Sequence, residues 1–194
     1  MVVLICAIFL KIKPWAMKKA IILAICFFVC FVFSCKKDDD NSCVGVSCLP
    51  PETQTGENTF GCLLDGEPFI PRGGVNRPDC VYQLIDGKWY FQLQGNNEDG
   101  SFIRRTIVIN TLGKEIEEGV SYDLVEEKAG NAYAIFSNNT IFSFTSSEDP
   151  GELYISKLDM SNQIVSGTFS FELIDNEGNL RQVTNGRFDM KFTR

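Results

Sequence analysis

Histidine is missing from all 194 residues of the chain. Without an imidazole, neither a Ser-His-Asp triad nor a Cys-His pair can be assembled, and a histidine-ligated metal site is excluded. The sequence also lacks a G-x-S-x-G nucleophile elbow, a phosphate-cradling glycine loop and a dinucleotide-binding glycine fingerprint. No window of a dozen residues holds the apolar period of an amphipathic helix, and only Lys114–Glu118 suits a single helical turn. Acidic residues are absent from the first 34 positions, whose only charges are Lys11, Lys13, Lys18 and Lys19. None of these patterns implies a cofactor or a metal.

What is present is strongly sorted by charge. All 25 acidic residues follow Cys35, together with 14 of the 18 basic ones, so this part carries 14 − 25 = −11 against −7 for the whole chain. A charge of that sign repels phosphate backbones and promotes solubility, so nucleic acid is not an expected partner. The part after Cys35 is long enough for one core burying roughly two thirds of the unfolded surface, and one domain is expected.

Met17-Lys18-Lys19 is a short positive segment, and Ala20–Phe33 is an unbroken apolar run of 14 residues. Spanning a bilayer takes about 20, whereas the apolar core of a signal peptide is shorter. The run ends in Val32-Phe33-Ser34-Cys35. This resembles the bacterial lipobox, with an aliphatic residue at −3 and a small one at −1 before the cysteine; Phe33 at −2 is bulkier than usual. The resemblance implies that residues 17–34 are an export signal and that Cys35 becomes the lipidated first residue of the mature protein. An uncleaved signal anchor is the alternative. Residues 1–16 do not belong to this design and read as an extension from a mis-assigned start, or as an extended positive region. Lys37-Asp38-Asp39 resembles the lysine-plus-acidic tag that directs Bacteroidetes-type lipoproteins to the outer face of the outer membrane. The other reading is a solvated spacer on a protein at the periplasmic leaflet. Two acyl chains already give stable attachment, at about 0.8 kcal/mol per buried methylene, so the membrane is an expected partner through the N-terminal lipid.

Residues 41–57 are rich in Ser, Pro, Thr and Gly and read as a flexible tether, so that residues 35–57 form a lipidated linker ahead of a domain over 58–194. From there the texture is of short alternating runs broken by turn dipeptides. Asp65-Gly66 and Asp86-Gly87 suit two-residue type I′ hairpins; Asn97–Gly100 and Asp175–Gly178 suit a type I turn followed by a left-handed glycine. Trp89, Phe91 and Leu93 alternate with Lys88, Tyr90 and Gln92, and the same period of two places Phe169, Phe171 and Leu173, then Phe188, Met190 and Phe192, on buried faces. The expected class is all-β: an antiparallel sandwich or up-and-down barrel of about ten short strands in a single domain.

Three patches stand out. They are Thr53–Cys62 (TQTGENTFGC) running into Leu63-Leu64-Asp65-Gly66 and Phe69-Ile70-Pro71; Gly151–Ile155 (GELYI) leading to Leu158-Asp159; and Ile164–Phe171 (IVSGTFSF) closing with Thr184–Asp189 (TNGRFD). Together they resemble a family of small all-β lipoproteins of Bacteroidetes-type bacteria without an assigned activity. The resemblance covers most of the chain from Thr53 onward and implies location and fold; no site residues carry over. Gly56, Gly61 and Gly167 also suit turns, bulges or close backbone approach.

Of the eight cysteines, Cys6, Cys26 and Cys30 leave with the signal and Cys35 takes lipid. An even set remains, Cys43, Cys48, Cys62 and Cys80, which in an exported chain favours disulfides in one of three connectivities. Pairing of sequence neighbours, Cys43–Cys48 and Cys62–Cys80, is expected. A four-thiolate zinc site has no matching spacing. Glu117, Glu118, Glu126 and Glu127 read as solvated, and Asp175, Glu177 and Asn179 as a hairpin turn in preference to a calcium site. The leading functional expectation is a non-enzymatic surface module that binds a small ligand, a glycan or an envelope protein. A hydrolase using carboxylates alone, or a structural envelope component, are the competing expectations.

Overall fold

Asp65 and Asp86 take up φ of 53° and 49°, followed by Gly66 and Gly87 at 84° and 76°. Both residues of each turn are thus left-handed, as a type I′ hairpin requires. These two turns open the fold. The structure, a computed structural model, describes residues 43–71, 77–98, 103–139 and 141–194. Among them run eleven strands: β1 (Thr59–Leu64), β2 (Glu67–Phe69), β3 (Asp79–Ile85), β4 (Lys88–Glu98), β5 (Arg104–Thr111), β6 (Ser121–Leu124), β7 (Ala132–Asn138), β8 (Ile141–Phe144), β9 (Gly151–Asp159), β10 (Ile164–Ile174) and β11 (Leu180–Lys191). The class is all-β, with one strand more than expected.

All eleven strands belong to one sheet in the order β2-β1-β11-β10-β9-β6-β7-β5-β4-β3, with β8 pairing β7 off that path. Neighbours are antiparallel except β6 and β7, which touch in parallel at Leu124 and Ala132. The sheet is not closed, but its far ends approach. Val81 of β3 bridges Thr193, just beyond β11, with Tyr82 N donating to Thr193 O at 2.9 Å and Thr193 N to Cys80 O at 3.0 Å. Aromatic rings span the space between. Phe91 of β4 lies 6.3 Å from Phe188 of β11, and Tyr82 of β3 lies 5.7 Å from Phe192. Strands six places apart in the sheet therefore share one core, filled by alternating side chains from every described strand except β8.

Local expectations differ at three places. Lys114–Glu118 forms no helical turn; it is irregular, enters a turn at Glu118, and is pinned by side chains. Tyr82 Oη accepts from Ile116 N at 3.2 Å, Tyr122 Oη accepts from Glu117 N at 2.7 Å, and Thr111 Oγ1 donates to Lys114 O at 2.8 Å. At Asn97–Gly100 the strand continues through Asn97 and Glu98, which pair with Arg105 and Arg104; Asp99 and Gly100 lie outside the described residues. The third difference concerns the linker. From Cys43 the chain is part of the domain. A short 3-10 turn covers Gly45–Cys48, Leu49 is buried, and a strap over residues 50–58 lies along the outer side of β11.

Candidate functional site

The strap is fastened by one carboxylate. Alternation along β11 turns Asp189 away from the core, yet its exposure is 0%. Thr53 Oγ1 donates to Oδ2 at 2.7 Å, Thr55 N at 3.0 Å and Glu57 N at 3.2 Å. Oδ1 accepts from Gly56 N at 2.8 Å and Ser166 Oγ at 2.7 Å. Burial opposes ionisation, but these donors outweigh it and pull the Asp189 pKa down to about 2. Successive backbone N–H groups aimed at one anion form a nest, and Gly56, at φ +76° and with a hypothetical Cβ only 3.0 Å from Lys191 Cγ, lets the backbone close around it. Asn58 Oδ1 then accepts from Lys191 N at 3.0 Å. Gly61 lets Pro50 pack, since a Cβ there would sit 2.6 Å from Pro50 Cδ. Gly167 stands at a register shift between β9 and β10 and leaves room for Tyr154 O. Two of the sequence patches thus meet at Asp189 for a structural reason.

Beside the strap, the outer face of β9, β10 and β11 holds three adjoining depressions open to solvent, of about 450, 440 and 500 Å³. Tyr154, 37% exposed, rises from the floor. Three of the charged groups here already have partners: Ser121 Oγ donates to Glu152 Oε1 at 2.6 Å, and Arg187 Nη1 lies 3.8 Å from Glu52 Oε1 and 3.5 Å from Pro50 O.

A further, smaller depression of about 210 Å³ lies on the outer face of β3, β4, β5 and β7, lined by Gln83, Tyr90, Gln92, Asn110 and Tyr133 among others, and by no charged residue. Register puts Val81, Gln92, Asn110 and Tyr133 in one row across the four strands, with Gln83 opposite Tyr90 in the next. Burial, with Glu127 beside it, pushes the Tyr133 phenol up to about 12.

Cys43 and Cys48 are joined, with their Cα atoms 5.0 Å apart. Cys62 and Cys80, expected to pair, are free and buried. The register explains why. Cys62 lies alongside the stretch of β11 between Thr184 and Arg187, whereas Cys80 meets Thr193. At about 3.3 Å per residue the two are roughly 20–30 Å apart along β11, beyond the roughly 4–7 Å between Cα atoms that a disulfide spans. Burial pushes both thiols far above their ordinary value, with Asp79 adding to the effect at Cys80. Cys35, Lys37, Asp38 and Asp39 lie outside the described residues.

No cluster of three or more metal-ligating side chains occurs among the described residues. Asp175 is occupied by its own turn, accepting from Glu177 N and Asn179 N at 2.9 Å each and from Arg181 Nε at 2.8 Å. Glu118 accepts from Leu158 N at 2.9 Å beside Lys157, and Glu126 accepts from Ser147 Oγ. Every carboxyl with a clear shift moves down: Glu118, Glu126, Asp159, Asp175 and Asp189, the first four chiefly through hydrogen bonds they accept. Comparison with protein-family models, with curated protein sequences and with solved structures finds no match.

Proposed function

We propose that the chain is an exported lipoprotein, held at the outer membrane through acylated Cys35 and displayed outward, whose β domain is a non-catalytic binding module. The observation that carries the non-catalytic part is the state of the carboxyls. A carboxylate-only hydrolase needs one acid held protonated near neutral pH beside an ionised one. Here the carboxyls that shift all move toward ionisation, and Glu52 and Glu152, which share a groove, each face a donor of their own. Outward depressions bearing tyrosines, which pair an apolar ring with a polar tip, suit binding.

The anchor is tested with wild type and Cys35→Ala in a suitable host, by membrane fractionation, N-terminal mass and protease treatment of intact cells. The wild type is expected to be acylated, membrane-bound and cleaved on intact cells, and the variant to be released. Identical behaviour of the two contradicts the lipoprotein reading; an acylated but protected wild type places the module at the periplasmic leaflet.

A structural envelope role has one observation in its favour. Among the described residues, strand β8 pairs with β7 alone and exposes Ile141, Phe142 and Phe144 at 51%, 55% and 41%. An apolar strand with an open edge is a ready assembly surface. On that reading, Phe142→Ser abolishes a crosslinked envelope complex that wild type forms; without such a complex the reading fails.

A further inference from the structure

Polar side chains on a folded surface are informative when they have no partner. Over the β9–β11 groove, Glu52, Ser121, Glu152 and Arg187 are engaged with one another or with backbone. On the face of β3, β4, β5 and β7, no hydrogen bond within the described protein engages the side-chain amides of Gln83, Gln92 or Asn110 or the hydroxyl of Tyr90. Gln92 and Asn110 stand directly opposite each other and Gln83 faces Tyr90, so three open amides surround one ring. No charge lines the depression, although the part of the chain after Cys35 carries 14 basic against 25 acidic residues.

Each amide offers an acceptor and two donors in one plane, a match for adjacent hydroxyls that both give and take a hydrogen bond. Tyr90 offers an apolar ring face with a polar tip, a match for the C–H face of a pyranose. No charged side chain lines the depression to serve an ionic ligand as counter-ion, and Glu127 at its margin is taken up by Tyr133 Oη, which donates to it at 3.4 Å. Pockets that enclose a small molecule run to several hundred Å³; this one, at about 210 Å³, is too small to enclose a ligand and instead suits part of a longer chain. An extended peptide added by strand pairing would sit on the outer edge of β3, which ends the sheet order, and not over this face, whose central strands β4 and β5 are paired on both sides.

We propose that the outer face of β3, β4, β5 and β7, centred on Tyr90, Gln92 and Asn110, binds a segment of a neutral polysaccharide by ring stacking and amide–hydroxyl hydrogen bonds. This rests on the binding-module reading and gives it a ligand class.

The test uses the full acylated chain in detergent, titrated with dextran, a β-1,3-glucan and a galactomannan, and with polygalacturonate as the anionic comparator. At least one neutral polymer is expected to bind, with an affinity insensitive to salt. Tyr90→Ala and Gln92→Ala each weaken it by roughly tenfold or more, as loss of a stacking or hydrogen-bonding partner does, with unfolding midpoints unchanged. Tyr154→Ala leaves binding intact. Failure of every neutral polymer to bind, or binding of polygalacturonate alone, overturns the ligand class. Loss of binding in Tyr154→Ala but not in Gln92→Ala overturns the site while leaving the binding-module reading standing. Cleavage of a bound polymer contradicts the non-catalytic reading itself.

Discussion

Two outward faces of the same sheet treat their polar groups in opposite ways. On β11 the strap covers Asp189 and surrounds it with five donors, so a charge that alternation sends outward ends with no exposure. On β4 and β5, Gln92 and Asn110 occupy equivalent outward positions and keep their donors and acceptors open. A buried charge with satisfied hydrogen bonds stabilises, and becomes costly once a partner is removed; an exposed amide contributes little to stability and remains free for a ligand. The first face holds the domain together, and the second is available for function.

The largest expected effect follows from removing the carboxylate. Asp189→Ala leaves the N–H groups of Thr55, Gly56 and Glu57 without their acceptor and is expected to cost about 3 kcal/mol. In a domain of this size that lowers the thermal midpoint by roughly 10 °C, measurable by calorimetry, and limited proteolysis should then open the strap first. The carboxylate also gives a pH signature. Its folded pKa, near 2, lies below the ordinary aspartate value of 3.8, so its contribution is complete above that ordinary value and is lost as pH falls from about 4 through 2. The difference is worth about 2 kcal/mol. Urea unfolding of wild type should weaken over that window, and Asp189→Asn should lack this component.

Next in size is the Cys43–Cys48 bridge. It closes a loop of only six residues, worth at most about 2 kcal/mol in the chain-entropy model. Cys43→Ser with Cys48→Ser is expected to lower the urea midpoint modestly, well short of Asp189→Ala. A thiol count separates the two remaining cysteines from the expected disulfide. In the mature protein Cys62 and Cys80 should resist a thiol reagent while folded and titrate as two thiols after unfolding without reductant. No reactive thiol after unfolding would restore the Cys62–Cys80 bridge.

The contrast between the two faces was only half legible in the sequence. Asp-Gly turns and alternating Phe residues declare hairpins and buried faces because both signals are local, and Asp65-Gly66, Asp86-Gly87 and Phe169-x-Phe171 form as expected. The strap reads as a flexible linker because nothing local in Thr53–Glu57 names its partner; Asp189 is more than 130 residues away. The same limit misplaced Cys62 and Cys80, close in sequence but on strands at opposite ends of the sheet order. Lys114–Glu118 has helical composition, but Tyr82 and Tyr122 take up the backbone N–H groups of Ile116 and Glu117. Of the open face, Tyr90 and Gln92 could be placed outward by alternation, but their alignment with Asn110 and Tyr133 depends on register across strands that no single stretch encodes. A clue was present in the lack of charge at Gln83, Tyr90, Gln92 and Asn110 in an acidic chain.

The most direct test measures thermal unfolding and neutral-polysaccharide binding together on Asp189→Ala and Gln92→Ala. The account predicts a crossed result: Asp189→Ala loses roughly 10 °C of midpoint and binds normally below it, while Gln92→Ala keeps its midpoint and loses affinity. If Gln92→Ala destabilises the domain as Asp189→Ala does, or binds as wild type does, the two faces are not divided between stability and function.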